Sequence, residues 1–349
     1  GSFGRRWLTN SVRSALLVDV RREIPAPEAT ATLATSGPSL ERLIPAGRAA
    51  FPGMLATTSS AWTTLHRYGI TPEVVVHTDG GFWATRYLNP HVGLHRGPLP
   101  TVAITASAAV PNTLLRSSYD QFFCFLATGA LADQLHADHE EWQTVPEAPT
   151  VTATALHMLH RIAPHSLLYL AGVDLVSRGI ISHARPHRND RLIANWAHRL
   201  RPELSIRAER TFHPDPTAHR LADGVVGYRS PALRAFLPEI SRVLALHQTS
   251  GAVASLISAG ADRSRAPQGL STGVGRMEHR PPRSERIAHV RRVVRQWREL
   301  AEEGSWSADQ REILFHLAPV EVLQTLRGEV DQKAAVAAAH TGLEVIERM

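Results

Sequence analysis

The sequence predicts an α/β fold: a mostly parallel sheet with helices on both faces, followed by a helical appendage. Three observations predict it. From Ala31 onward, short apolar runs alternate with polar turns and helix-like segments. Polar turns close three of those runs, at Thr35–Ser39, Thr78–Gly81 and Gly172–Asp174. After a stretch without periodicity at 260–285, only helix-like segments remain. Strand, turn and helix in repetition favour a parallel sheet, whose ligands bind at the carboxyl ends of the strands.

The elements follow in order. Strands are expected at Thr32–Thr35, Gly53–Thr58, Glu73–His77, Val102–Thr105, Phe122–Leu126 and Ser166–Ala171. Helices are expected at Ser39–Ala50, Ala61–Tyr68, Phe82–Leu88 and Val151–Ile162. Before them, Arg5–Glu28 holds a helix-like piece and a strand-like run at Leu16–Val20. Beyond Arg188 the pattern weakens: Leu192–Leu200 is helix-like, Ser205–Ala208 strand-like and Pro231–Leu246 helical. Arg286–Glu303, Ser307–Leu317 and Pro319–Met349 complete the helical tail, with a capping box at Ser307–Gln310. The expected organisation is an N-terminal extension (1–30), an α/β domain (31–246), a linker or mobile loop (247–285) and a helical region (286–349). The tail suits docking or contacts between copies in a homo-oligomer.

At 349 residues, 43% hydrophobic and 20% charged, the chain has the composition of a soluble globular protein. Its formal charge of +6 suits anionic partners such as nucleotides and sugar phosphates. Lys333 is the single lysine, so the basic side is arginine. No aromatic-interleaved basic motif points to nucleic acid, and no run is long enough for a membrane span. Cys124 is the only cysteine and sits in an apolar run, so an inert core thiol and a reducing cytoplasm are expected. Gly1-Ser2-Phe3-Gly4 has neither the Met nor the apolar core of a signal peptide, and Gly1-Ser2 reads as an engineered scar.

The turn Thr35-Ser36-Gly37-Pro38-Ser39 is the first chemical candidate. Gly37 permits close backbone approach and Pro38 presets the first helical turn, so the N–H groups beyond would face an anion. The second is Thr78-Asp79-Gly80-Gly81, where Asp79 can accept from a sugar hydroxyl, hold a metal or cap the next helix. The third runs from Gly172-Val173-Asp174 to Ser182-His183-Ala184-Arg185-Pro186-His187. It collects a carboxylate, two histidines suited to proton transfer and an arginine suited to phosphate or carboxylate. On a helix His183 and His187 would form a metal pair, but Pro186 between them argues against one, and no metal ligands are assigned. His157 and His160 read as part of a helix surface. A Gly-x-Ser-x-Gly elbow, a P-loop and a Gly-x-Gly-x-x-Gly turn are all absent.

These stations resemble a known order. Ala34-Thr35-Ser36-Gly37-Pro38-Ser39-Leu40 is similar to the Gly-x-Gly-Pro-Ser-Leu signature of the Maf (motility-associated factor) flagellin glycosyltransferases. Gly69-Ile70-Thr71-Pro72-Glu73 with Asp79, the small-residue run Pro149–Ala155, and Gly172-Val173-Asp174-Leu175 with Ser182-His183-Ala184 resemble the motifs that follow it. The resemblance covers about residues 31–187; Thr35 replaces the first glycine and Glu73 an aspartate. The large N-terminal domain of full-length members has no counterpart in these residues.

The resemblance implies a Rossmann-like transferase taking a CMP-activated nonulosonic acid, of pseudaminic or legionaminic type, to Ser or Thr of flagellin. Thr35, Ser36, Gly37, Pro38 and Ser39 would hold the CMP phosphate. Asp79, Gly80, Gly172 and Asp174 would lie against ribose or sugar. His183 would be the base with His187 in reserve, and Arg185 would meet the donor carboxylate or departing phosphate. No cofactor is obligatory on this reading. The related 6-hydroxymethylpterin diphosphokinases would need ATP and Mg²⁺ with a denser carboxylate cluster; an inactive relative acting as a scaffold is a third alternative.

Overall fold

The structure, a computed structural model, describes residues 2–17, 27, 29–81, 84–88, 100–111, 122–127, 134–135, 143–146, 148–212, 215–221, 224–255, 283–302, 307 and 332–347. Eight parallel strands form one sheet. They are β1 (Thr30–Ala34), β2 (Met54–Thr58), β3 (Val74–His77), β4 (Thr101–Ile104), β5 (Phe122–Ala127), β6 (Gln143–Val145), β7 (Leu167–Ala171) and β10 (Ala252–Ser255). Their order is β10-β7-β1-β2-β3-β4-β5-β6. A two-stranded antiparallel hairpin, β8 (Thr217–Arg220) and β9 (Val226–Arg229), stands apart.

Both faces of the sheet are covered, which is why its strands are buried almost throughout. Alternate residues choose the face. Ala31, Leu33, Met54, Ala56, Val74 and Val76 pack toward α4 (Val151–Ile162) and α7 (Pro231–Gln248). Ala34 and Leu55 pack on the other face with α2 (Ser59–Arg67) and the turns after β1. Thr150 caps α4, its Oγ1 accepting from Ala153 N at 3.0 Å. Ser230 caps α7 in the same way, at 3.3 Å from Leu233 N.

Several expectations need correction. Ser39–Ala50 is not one α-helix but two 3-10 segments, Pro38–Arg42 and Ile44–Ala50, which meet at Leu43, and the second is kinked where Gly47 takes φ +65°. Pro45 denies the second segment an N–H inside the expected helix. Leu16 and Leu17 belong to α1 (Ser2–Leu17), not to a strand, and 18–20 lie outside the described residues. Ser205–Ala208 lies in α6 (Glu203–Phe212), where Ile206 alone is buried and Arg207 pairs with Glu203 one turn back. His157 is not on a helix surface: it is 4% exposed, with Nε2 2.8 Å from Glu239 Oε1 on α7. The sheet also runs past residue 246, because β10 pairs with β7. Phe82 and Trp83 are outside the described residues, and α3 covers Thr85–Leu88.

The N-terminal extension and the tail form one helical unit. Leu8, Val12 and Ala15 of α1 pack with Val290, Val294 and Trp297 of α8 (Arg283–Glu302) and with Ala339 and Leu343 of α9 (Gln332–Glu347). Residues 308–317 of the helix expected at Ser307–Leu317, and 319–331 of the one expected from Pro319, fall outside the described residues. Asn10 ties the unit to the sheet, its Nδ2 donating to Gly80 O at 3.2 Å and Ser107 O at 3.0 Å. Among the described residues no helix is long and apolar enough to cross a membrane.

Candidate functional site

From β1 the chain moves across β2 to β6 and then returns to the opposite side of β1 as β7. The crevice between the carboxyl ends of β1 and β7 is therefore the switch point of the sheet, where such folds place ligands. Two of the three polar turns meet there, and they interlock. Thr35 N donates to Ala171 O at 2.8 Å and Gly37 N to Gly172 O at 2.9 Å. Ser39 gives Asp174 both its N–H, at 2.7 Å to Oδ2, and its hydroxyl, at 2.5 Å to Oδ1. The Thr35 hydroxyl also donates to Gly172 O, so the residue that replaces glycine is used in the join.

This geometry changes what the turn can do. The Gly37 and Ser39 N–H groups expected to cradle a phosphate are given to protein acceptors. The Asp174 carboxylate occupies the position an anion would take. A Cβ on Gly37 would lie 2.2 Å from Gly172 O, and one on Gly172, at φ +70°, would lie 2.2 Å from Thr35 O. Both glycines serve close approach between two backbones. The turn is a clasp, and Ser36 extends it: its carbonyl accepts from Ala184 N at 2.8 Å and its Oγ from Ser60 Oγ at 3.1 Å.

That Ala184 contact places the histidine loop. Ala184 is buried in the core beside Leu40, and Thr64 Oγ1 donates to Pro186 O at 3.0 Å. His187 then caps α5 (Arg188–Trp196): its Nδ1 accepts from Asn189 N at 3.2 Å while Asp190 Oδ2 accepts from His187 N at 2.8 Å. Asp190 is held in turn by Arg207 at 2.8 Å. The His183 and His187 rings stack with centroids 4.1 Å apart and an interplanar angle of 9°. Stacked rings direct their nitrogens side by side, not toward one metal. Among the described residues no group of three or more His, Cys, Asp or Glu side chains is arranged to hold a metal ion.

The two rings are chemically distinct. His187 is 4% exposed, and its Nε2 is buried with no hydrogen-bond partner. Burial, and then the neighbouring His183, hold it well below the ordinary value of 6.5, so the ring is neutral. Because Nδ1 accepts, the proton of the neutral ring is on Nε2. His187 thus presents an unused N–H donor and cannot serve as the base from that nitrogen. His183 contacts Ser182 Oγ through Nδ1 at 2.8 Å. Burial lowers its pKa, Asp190 opposes that shift and Arg210 adds to it. The Ser182 hydroxyl can accept from or donate to that nitrogen, and in the tautomer whose Nδ1–H donates, His183 Nε2 carries a free lone pair.

A cavity opens over this pair, lined by His183, His187, Asp190, Arg207, Arg210 and Tyr228 among others. Arg210 stacks 5.0 Å over the Trp196 ring and has no carboxylate partner among the described residues. Arg185 is elsewhere: its Nε and Nη2 reach Glu41 at 2.9 and 3.2 Å, and its N–H meets the same carboxylate at 2.8 Å. Of the two guanidiniums, Arg210 lines this cavity while Arg185 is paired with Glu41. Asp79 is exposed at the end of β3 and accepts from Gly81 N at 2.7 Å. It approaches the site through Tyr87, whose ring lies 5.8 Å from His187 and whose phenol is pushed up by burial and by Asp79. Gly80 is a seat for α1, since a Cβ there would lie 2.3 Å from Trp7 Cδ1.

The sequence reading missed Asp190, Arg207, Arg210 and Tyr228. Asp190 had a signal, since it stands three residues after His187 as the acid of a capping box does. Arg207 and Arg210 share a helix face only once 203–212 is helical.

No family model matches the chain. An uncharacterized protein of Treponema pallidum (strain Nichols) is 31% identical over 195 residues, which are 53% of this chain and 39% of that protein. The MAf glycosyltransferase from Magnetospirillum magneticum AMB-1 shares the fold over 100% of this chain and 58% of its own, with a TM-score of 0.51 and 16% identity. The chain thus spans between two fifths and three fifths of the length of the proteins it matches.

Proposed function

We propose that the chain is the catalytic domain of a glycosyltransferase that moves a nonulosonic acid of pseudaminic or legionaminic type from its CMP-activated form to a Ser or Thr hydroxyl of flagellin. The single observation that carries the reading is the stacked His183–His187 pair beside the sheet's switch point, on the wall of a cavity, with His187 Nε2 buried and without a partner. The fold shared with a glycosyltransferase and the order of motifs from Thr35 to His183 support it.

His183 Nε2 takes the proton of the acceptor hydroxyl as its oxygen bonds to the anomeric carbon. The bond from that carbon to the phosphate oxygen breaks, and CMP departs with the electron pair. His187 Nε2–H donates to the oxygen on which negative charge grows, and Arg210 meets the same charge across the cavity. The leaving group is a stable phosphate anion, so the step needs no obligatory cofactor.

The test is direct. Purified chain, CMP-pseudaminic or CMP-legionaminic acid and flagellin should give CMP and a mass gain of one sugar on flagellin. His183→Ala should slow both by about 10² to 10⁴-fold. A chain that binds these substrates and gives neither product sinks the reading.

A further inference from the structure

A second cavity of about 340 Å³ lies beside the histidine pocket and shares Asn189 with it. Arg86, Tyr87, Arg188, Asn189, Arg191 and Asn195 line it. Arg188 Nε donates to Arg86 O at 3.1 Å, which draws that guanidinium onto α3. Arg191 follows three residues later on the same helix, and so on the same face.

This placement is unfavourable without an anion. Arg188 and Arg191 stand in the opening turns of α5, where unpaired backbone N–H groups already make the helix end positive. Asp190, the acid of the first turn, is committed to the His187 N–H and to Arg207. Neither Arg188 nor Arg191 has a carboxylate partner among the described residues. Burial and repulsion from Arg191 and Arg86 pull the Arg188 guanidinium below its usual value. Nearby cations raise one another's cost until a counter-charge enters, and guanidiniums fit phosphate oxygens in pairs.

We propose that Arg86, Arg188 and Arg191 form a phosphate site that takes a dianionic phosphate, either inorganic phosphate or the phosphate of a nucleoside monophosphate. The site stands whether or not the chain transfers sugar. Its shared wall at Asn189 puts a bound phosphate next to the histidine pair.

The test is calorimetry on the full chain with inorganic phosphate, CMP and acetate as probes. Phosphate or CMP should bind saturably and acetate should not, with affinity falling as salt rises. Arg191→Ala, at an exposed position, should weaken binding about tenfold, and Arg188→Ala with Arg191→Ala about a hundredfold. Arg201→Ala, a control whose partner is the exposed Glu209, should leave it unchanged. CMP at least tenfold tighter than phosphate identifies a nucleotide site, and equal affinities a free-phosphate site. No saturable binding of either probe, or Arg191→Ala binding like the unaltered chain, overturns the proposal. Binding retained without any transfer breaks only the transferase reading.

Discussion

Two loops meet at the carboxyl end of β1, and they use their polar groups in opposite ways. In the clasp, the Gly37 N–H goes to Gly172 O and the Ser39 N–H and hydroxyl go to Asp174, so the donors already have acceptors. In the histidine loop, the framework is equally well bonded through Ala184, His187 Nδ1 and Asp190, yet one buried donor, His187 Nε2, has no partner. Buried polar groups in folded proteins are nearly always paired, so this orphan sets the histidine loop apart from the clasp. A glycine turn at a strand end marks only close approach. The clasp builds the crevice, and the proposed function places the chemistry in the histidine loop.

The largest expected effect tests the working loop. His183→Ala removes the proposed base and should cost transfer about 3 to 5 kcal/mol in barrier, with stability nearly unchanged. Its pH profile sharpens the point. The folded value lies below 6.5, so the neutral base persists at pH 7 and is lost only as pH falls below 6.5. An acid limb above pH 7 would assign the base elsewhere.

The next effect tests the clasp. Gly37→Ala drives a methyl group against a backbone oxygen 2.2 Å away, so β1 and β7 must part at their ends. We expect a stability loss of about 3 kcal/mol by chemical denaturation. Near-normal stability would show that the clasp yields and is not the scaffold described.

Within the histidine loop His187 serves as cap and as the orphan donor, and a pair of variants separates the roles. His187→Ala should lose the cap, about 1 kcal/mol, together with the donor. His187→Asn keeps a capping acceptor and should fold almost normally, yet transfer more slowly. Transfer by His187→Asn at the unaltered rate would mean the orphan N–H is not used. Acid also probes this residue. Its folded value is held well below 6.5, so the unfolded chain takes the proton first. The stabilisation is full above the unfolded value and declines as pH falls below 6.5. His187→Asn should flatten that part of the stability curve.

Much of the frame was legible in the sequence. The strands from Ala31 to Ala171 could be read, because buried parallel strands are short apolar runs between turns, except for β6, whose three residues Gln143-Thr144-Val145 carry no such run. Val151–Ile162 was legible to the residue, with a capping Thr150 before it. The candidate loops were found, but not their roles. Nothing in Ser-Gly-Pro-Ser says that Asp174, some 135 residues later, will take its donors. The cavity wall on α6 was hidden because Ser205–Ala208 alone has no period; only Ile206 turns inward, and the partner of Arg207 is Asp190 on another helix. Side chains that meet across long separations leave no local pattern.

The smallest effect concerns Arg185, which the sequence placed in the working loop and the structure joins to Glu41 on the segment after the clasp. Its side chain is 55% exposed and Glu41 is 32% exposed, so water screens the pair. Glu41 raises Arg185, and the side-chain and backbone bonds of Arg185 hold Glu41 below its ordinary value against the opposing effect of burial. Exposed pairs of this kind contribute about 0.2 to 1 kcal/mol. Arg185→Ala should therefore cost less than about 1 kcal/mol and leave most of the transfer rate. Arg210→Ala, which removes a guanidinium from the cavity that His183 also lines, should slow transfer while barely changing stability. A loss of transfer in Arg185→Ala that matched or exceeded the loss in Arg210→Ala would return the anion-meeting role to Arg185 and move the reacting centre toward the clasp.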